Sequence, residues 1–329
     1  MKPIAVLISD VHYSVQTLER ADKAINLALK HATKLQLPLV IAGDLHDTKA
    51  NLRGECINRL ISTLTPYTCE VYILVGNHDK INEKSDEHSL NFLKPYAHVI
   101  DTPQYIEPID SYCIPYQYDL MEFRHIINDI PTNSRIIMHQ GLVSALPGEY
   151  TFDKTAILKD WVKDYRVISG HYHARQDIKI GDNLFSYIGN PFTTSFGEAK
   201  DPEKGYQILY EDGSLEFVST NLGRHIKYEF DWKNIQNITV SKDDYVWLKL
   251  HISNAELLKL NKEKICNQLN LIPAQTRIEF STNDEICEYK TNTLNTNELI
   301  DELIEQQDWT PAKKSNIKEV WRDLADENS

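Results

Sequence analysis

The sequence contains little cysteine and no long apolar stretch. Its five cysteines are odd in number and scattered, with no close-spaced pair. This usage suggests neither a disulfide framework nor a zinc finger, so we expect reduced, structural thiols. No apolar run reaches the length that spans a membrane, and the opening Met1-Lys2-Pro3 lacks a signal-peptide cleavage pattern. The sequence therefore predicts a cytoplasmic protein without a membrane partner.

Positive charge is also scarce. Lysine and arginine number 35 against 48 aspartates and glutamates, which gives a formal net charge of −13. Such a chain is unsuited to coating nucleic acid nonspecifically through bulk electrostatics. A nuclease is not excluded, because bound divalent cations are large local positive charges and partner proteins can complete a basic groove.

Short apolar runs alternate with amphipathic segments in the first part of the chain. Ile4–Ser9 and Pro38–Ala42 indicate buried strands, and apolar positions between Leu18 and Leu29 recur at helical spacing. The pattern continues with a helix at 55–64 and strands at 71–75, 111–115, 135–138, 167–169 and 184–188. It predicts an α/β fold, in which the loops after the strand ends normally carry the functional site.

The character of the sequence changes near His225. A strand at 245–252, a helix at 255–269 and a strand at 276–281 predict a small α+β domain. Beyond it, two short segments carry apolar residues on one helical face: Leu299, Ile300, Leu303 and Ile304, then Ile317, Val320, Trp321 and Leu324. Because such helices are too short to be stable alone, they should dock on the body or on a partner. We therefore expect a main domain at 1–224, an α+β domain at 225–290 and a helical tail at 291–329.

Five short segments, each at the end of an apparent strand, carry Asp, His and Asn. They are Asp10-Val11-His12, Gly43-Asp44-Leu45-His46-Asp47, Gly76-Asn77-His78-Asp79, His139-Gln140-Gly141 and Gly170-His171-Tyr172-His173. Each segment alone is weak evidence, because it could be a turn or a helix cap. Together and in this order they predict two divalent cations about 3.5 to 4 Å apart, the spacing at which two metals share a phosphoryl group.

The ligand types allow an assignment to two metals. Asp44 is the best candidate for a bridging carboxylate. The first metal would be bound by Asp10, His12, Asp44 and His173, and the second by Asp44, Asn77, His139 and His171. This mixed oxygen and nitrogen shell suits Mn²⁺, Fe²⁺ or Zn²⁺ better than Ca²⁺ or Mg²⁺.

Two neighbours of the ligands have predicted catalytic roles. His78 is not needed as a ligand, so it could donate a proton to the leaving oxygen, with Asp79 orienting its imidazole. His46 and Asp47 stay open between a supporting role at the metals and simple loop polarity. The remaining histidines follow no such motif, and we expect structural or surface positions for them.

These five motifs resemble those of the calcineurin-like metallophosphoesterase superfamily, over about the first 200 residues. The stretch Tyr187–Glu198, followed by Lys204-Gly205-Tyr206, is similar to the segment after the last metal motif in Mre11 and SbcD nucleases, especially the compact phage-type members. The resemblance implies a metallophosphoesterase β-sandwich flanked by helices, with the α+β domain acting as a cap beside the DNA. Two departures from the family pattern, at Tyr13-Ser14 and at His46, remove no ligand.

The resemblance also implies a function. It is that of a Mn²⁺-dependent DNA exonuclease and endonuclease that forms a homodimer and pairs with a Rad50 or SbcC-type ATPase in DNA repair or recombination. His78 would then be the catalytic histidine, and the tail would bind the ATPase. A stand-alone phosphodiesterase or phosphatase acting on nucleotides or phosphoproteins would be served equally well by the same metal site. A scaffold that had lost catalysis is disfavoured, because every expected ligand is present.

Overall fold

The structure is a computed structural model, and it describes most of the main domain and part of the remaining chain. The described residues are 1–47, 49, 51–82, 84–143, 145, 153–201, 203–234, 238–253, 261–282, 304, 309–310, 313–315 and 317–318. By internal contacts the chain divides into one unit of Met1–Leu250 with Leu260–Phe280, and a second of His251–Lys259 with Ser281–Ser329. The domain boundaries expected at 224 and 290 remain predictions.

The first of two large sheets has six strands in the order β12-β11-β1-β2-β3-β4. Strands β1 to β4 run parallel to one another. On the other side of β1, β11 is antiparallel to β1 and β12 is antiparallel to β11. The strands are β1 Pro3–Ile8, β2 Leu39–Ile41, β3 Val71–Leu74, β4 His98–Ile100, β11 Gly205–Tyr210 and β12 Leu215–Ser219. Three of the four parallel strands, β1, β2 and β3, end two residues before the first residue of a predicted ligand motif.

The second sheet also has six strands, in the order β5-β6-β7-β8-β10-β9. Its inner strands β6, β7, β8 and β10 are parallel, and the edge strands β5 and β9 are antiparallel to their neighbours. The strands are β5 Gln104–Ile106, β6 Ser111–Ile114, β7 Arg135–His139, β8 Arg166–Gly170, β9 Gln176–Ile180 and β10 Asn183–Tyr187.

Helices cover the outer faces of both sheets. They are α1 Leu18–Leu35, α2 Gly54–Leu64, α3 Leu120–Asn128 and α4 Lys159–Val162. The buried face of α1 has Ala21, Ala24, Ile25, Ala28, Leu29 and Ala32 at helical spacing, and the helix ends where Gln36 adopts a left-handed conformation. In α3 the Asp119 carboxylate accepts the first free backbone N–H groups, which fixes the start of that helix.

Three apolar clusters show how these layers stack. Alternate residues of β1 go to different clusters: Val6 and Ile8 pack with α1 and α2, while Ala5 and Leu7 pack with Ile137 and Ile168 of the second sheet. A third cluster joins the outer face of the second sheet to α3 and α4. The order is thus helices, sheet, sheet, helices, which confirms the metallophosphoesterase sandwich. Burial on both faces explains why the central strands are continuous apolar runs.

The α+β segment contains a third sheet, of strands β13 His225–Asp231, β14 Tyr245–Ile252 and β15 Thr276–Thr282 in that order. Helix α5 spans Lys262–Gln268, so the described part of the helix predicted at 255–269 is shorter than expected. Residues 254–260 lie outside the described residues.

The tail falls mostly outside the described residues. Leu299, Ile300 and Leu303 of the predicted apolar stripe are not described, whereas Ile304 is helical and buried. Ile317 is also helical. Among the described residues, the structure contains no helix that combines the length and the apolar character needed to cross a bilayer.

Candidate metal centre

The predicted ligands come together at the carboxyl ends of parallel strands from both sheets. Asp10 and His12 follow β1, Asp44 follows β2 and Asn77 follows β3, while the second sheet contributes His139 from the end of β7 and the turn after β8. Three clusters have ligand atoms that lie within 4.8 Å of one another: Asp10, His12 and His173; His12, Asp44 and His78; and Asp44, His139 and His171.

The backbone is locally strained at the site. Asp10, His12, Asp44 and His171 have positive φ angles of 52°, 49°, 49° and 90°. A left-handed conformation costs a non-glycine residue roughly 1 to 2 kcal/mol, and such strain concentrates at functional sites. At Gly43, where φ is 93°, an added side-chain carbon would overlap the ring of His139, so only glycine fits.

The first group of predicted ligands is built around two imidazoles. His12 Nε2 lies 3.0 Å from His173 Nε2 and 3.9 Å from Asp44 Oδ2. Both oxygens of the fully buried Asp10 carboxylate accept the backbone N–H of His171 at 3.1 Å. The motif that follows β1 is therefore hydrogen-bonded to the turn after β8, which contains His173.

The second group surrounds Asn77. Its Oδ1 lies 3.0 Å from His139 Nε2 and 2.9 Å from His171 Nδ1, and His139 Nε2 is 3.2 Å from Asp44 Oδ2. The other oxygen of Asp44, Oδ1, accepts the backbone N–H of His78 at 2.8 Å. The structure thus brings together all seven residues that the sequence assigned to the two metals.

The donor set fits divalent cations. His139 Nδ1 faces the Ala42 carbonyl oxygen at 2.7 Å, His171 Nε2 faces Asp153 Oδ2 at 3.0 Å and His173 Nδ1 faces Glu198 Oε1 at 2.9 Å. These oxygens can only accept, so each facing nitrogen has the proton, and the other nitrogen of a neutral ring directs a lone pair at the centre. Lone pairs converging on carboxylate oxygens are stable only with positive charge between them.

The pKa shifts of Asp44 and His139 also indicate a site for positive charge. Burial alone would raise the pKa of Asp44, but His139 and His78 hold that pKa well below its ordinary value. Burial would likewise lower the pKa of His139, and Asp44 outweighs it, raising the pKa to about 9. The protein therefore stabilises positive charge at the position where a cation would bind.

His78 and Asp79 have separate environments. His78 Nδ1 donates to the Asp47 carbonyl oxygen at 2.7 Å. The Asp79 carboxylate is buried and accepts the backbone N–H groups of Leu45, His46 and Gly76 at 3.3, 3.0 and 2.9 Å. The expectation that Asp79 orients the His78 imidazole is wrong, because its oxygens are held by the backbone of two loops. The orienting group is the Asp47 carbonyl oxygen.

The two residues left open by the sequence differ in their surroundings. The Asp47 side chain lies 3.5 Å from His12 Nδ1, and this contact lowers the pKa of Asp47. His46 is fully buried near Tyr13 and Phe92, and neither ring nitrogen has a hydrogen-bond partner among the described residues. Burial lowers the pKa of His46 to about 4. Asp47 thus supports the site, whereas His46 is a neutral packing residue.

The centre opens into a cavity of about 230 Å³. Besides predicted site residues, its lining includes Lys49, Tyr116, Asp153, Lys154 and Tyr172. Sequence reasoning did not single out Asp153, which belongs to no motif. Glu198 was noted only as part of the stretch Tyr187–Glu198, without a role.

The chain is similar to several known proteins. Residues 5–175 match the model of the calcineurin-like phosphoesterase family. The chain is 28% identical to 244L of Invertebrate iridescent virus 6, which is named as a phosphoesterase, over 78% of this chain and 92% of that protein. It is 21% identical to the DNA double-strand break repair protein Mre11 of Methanocaldococcus jannaschii, over 97% and 89%. It is 27% identical to exonuclease subunit 1 of Enterobacteria phage T4, over 60% and 62%.

Proposed function

Since the chain belongs to the calcineurin-like phosphoesterase family, whose members hydrolyse phosphoesters, we propose that it is a two-metal phosphodiesterase that cleaves DNA. One observation carries the proposal. Asp44 has ligand atoms close to those of His12 and His78 in one cluster and of His139 and His171 in another. A single carboxylate shared by two groups of ligands is what a pair of cations acting on one phosphoryl group requires.

The cations would supply charge stabilisation of the phosphoryl oxygens and a nucleophilic water. We propose Mn²⁺, with Fe²⁺ or Zn²⁺ as alternatives that suit the same donors. The chain's own residues supply position and a proton. Because His78 Nδ1 donates to the Asp47 carbonyl oxygen, Nε2 faces away from that contact, and in the doubly protonated ring it is the nitrogen that would give its proton to the leaving oxygen.

The size of the cavity favours a polymer as the substrate. Its volume of about 230 Å³ is below the roughly 300 to 1,000 Å³ of pockets that enclose a small ligand. Only part of a longer molecule would enter, such as a phosphodiester with one sugar. Lys49 and Lys154 on the lining place positive charge beside the metal ligands, where a phosphate backbone could be held.

The partners are also a proposal. We expect the protein to act as a homodimer with an ATPase of the Rad50 or SbcC type, in DNA repair or recombination. Similarity to an archaeal protein named for double-strand break repair, over nearly the whole chain, supports this view. The apolar stripe predicted in the tail, of which Leu299 and Leu303 are part, is the expected ATPase contact.

The experiment is cleavage of an end-labelled linear DNA duplex by the purified full chain with Mn²⁺, in parallel with Mg²⁺. We expect Mn²⁺-dependent nucleotide release that Asn77→Ala abolishes. The alternative function is a stand-alone phosphodiesterase or phosphatase, which the net charge of −13 favours because it opposes binding of a polyanion. Hydrolysis of a small phosphodiester without any cleavage of DNA would refute the nuclease and establish this alternative.

A further inference from the structure

Two carboxylates lie directly behind the two histidines of the turn after β8. His171 Nε2 is 3.0 Å from Asp153 Oδ2, and His173 Nδ1 is 2.9 Å from Glu198 Oε1. The two rings use opposite nitrogens for these contacts. His171 is left with Nδ1 facing Asn77, and His173 is left with Nε2 facing His12.

We propose that Asp153 and Glu198 are positioning residues that each serve one metal. Asp153 acts through His171 on the metal position of His139 and Asn77, and Glu198 acts through His173 on the position of Asp10 and His12. The inference rests on the proposed two-metal function. It means that the affinity for each metal depends on a different carboxylate, and that the two carboxylates come from separate parts of the chain.

Asp153 is held in place by its own neighbours. Its Oδ1 accepts the backbone N–H of Thr155 at 2.8 Å and the Thr155 hydroxyl at 2.6 Å. Its Oδ2 accepts the Tyr172 hydroxyl at 3.2 Å in addition to His171. A carbon added at Gly141 would overlap Asp153 Oδ2. The Gly141 of the fourth motif, which is not a metal ligand, therefore makes room for this carboxylate.

Glu198 lies in a different network. Its Oε1 also accepts the Thr194 hydroxyl at 2.6 Å, and its Oε2 accepts from Asn190 Nδ2 at 2.9 Å and faces Lys204 Nζ at 3.0 Å. The buried Lys204 also donates to the His173 carbonyl oxygen at 3.1 Å. The stretch Tyr187–Glu198 and Lys204 thus have a physical role at His173. Glu198 holds the imidazole ring of His173, and Lys204 holds its backbone carbonyl.

The chemistry of these contacts is the same at both positions. A carboxylate can only accept a hydrogen bond, so it fixes the ring proton on its own side and leaves the lone pair for the metal. It also increases the basicity of the ring. Loss of such a partner typically reduces metal affinity by about 10- to 100-fold. An amide in its place can present an N–H group to the ring and favour the wrong tautomer.

The test uses the full chain, freed of metal, and Mn²⁺ alone as the probe. Asp153→Asn and Glu198→Gln are compared with Asp160→Asn and Glu203→Gln, which change exposed carboxylates. Binding isotherms give the two affinities, and the electron paramagnetic resonance spectrum distinguishes a coupled Mn²⁺ pair from a single ion. We expect each site variant to weaken one Mn²⁺ by about 10- to 100-fold, with both controls unchanged.

Ligand variants identify which ion is affected. In a His173→Asn background, where only the position of His139 should still bind, Asp153→Asn should weaken the remaining Mn²⁺ and Glu198→Gln should not. In a His171→Asn background the effects should be reversed. Unchanged affinities in both site variants, or the same ion weakened by both, would overturn the proposal.

Two further measurements keep the result interpretable. If Asp153→Asn fails to fold, Thr155→Val removes one hydroxyl that holds Asp153, and a smaller loss at the same ion is expected. No loss would count against the proposal. A wild-type chain that binds two Mn²⁺ ions without cleaving DNA would refute the nuclease but leave this test intact.

Discussion

Replacement of His78 by asparagine separates proton donation from metal binding. The backbone N–H of His78, rather than its side chain, donates to Asp44 Oδ1 at 2.8 Å, so this support of the bridging carboxylate survives the substitution. The imidazole itself is only half-buried and is held at one nitrogen by the Asp47 carbonyl oxygen. We therefore expect His78→Asn to retain both Mn²⁺ ions.

The expected loss is in the rate. General acid catalysis typically contributes about 10²- to 10⁴-fold, which corresponds to roughly 3 to 5 kcal/mol of barrier. Single-turnover cleavage of duplex DNA by His78→Asn should slow by that factor. A nitrophenyl phosphodiester has a leaving group that departs without a proton, so the variant should hydrolyse it at close to the wild-type rate.

This pair of substrates makes the outcome decisive. An equal loss on DNA and on the nitrophenyl substrate would refute proton donation and point to substrate positioning. Loss of Mn²⁺ from the variant would instead make His78 a metal ligand, since its ring atoms lie in one cluster with those of His12 and Asp44. The matched control is Asn77→Ala, which should lose both activities together with metal.

Three further predictions concern stability, packing and assembly. Burial lowers the pKa of His225 to about 4, below the value of about 6.5 in the unfolded chain. The free energy of unfolding should therefore fall as the pH is lowered from about 6.5 toward 4, because the unfolded chain takes up a proton there and the folded chain does not. In chemical denaturation, His225→Gln should flatten this pH dependence. Gly141→Ala should displace Asp153 and weaken one Mn²⁺ in the binding isotherm, and a variant with both ions unaffected would contradict the close packing around that carboxylate. Leu303→Glu should spare DNA cleavage but prevent co-purification with the proposed Rad50- or SbcC-type ATPase, and unchanged binding would refute the proposed contact in the tail.

The sequence was sufficient to predict which side chains gather at the centre, because they lie at or just after the ends of strands that are buried on both faces. Such strands are continuous apolar runs, and the carboxyl ends of parallel strands meet at one edge of a sheet. The strand pattern alone was enough to place Asp10, Asp44 and Asn77 together. The edge strands β4, β5, β9 and β12 were not predicted, because they are half-exposed and their patterns are weak. The buried strand β11 and the strand β13 were not predicted either.

The supporting residues could not be predicted for a different reason. Asp153 is near no motif, and only the fold brings it to His171. The Asp79 role was misassigned because adjacency in sequence suggested a partner for His78, whereas the side chain turns toward the backbone of the loop after β2. Contacts between loops depend on how the two sheets stack, and no local pattern records that arrangement.

Hydrogen bonds between the backbones of neighbouring loops offset the strain at the site and hold its shape. The N–H of Asp10 donates to the Gly43 carbonyl oxygen and the N–H of His12 to that of Asp44, both at 3.1 Å. Each such bond contributes about 1 kcal/mol net, comparable with the roughly 1 to 2 kcal/mol cost of a left-handed residue. The backbone N–H of His171, which donates to the Asp10 carboxylate, adds to this support. Because the loops hold one another in this way, the imidazole nitrogens that face the centre stay available to the metals, and the carboxylates behind His171 and His173 can come from any part of the chain that the fold brings near.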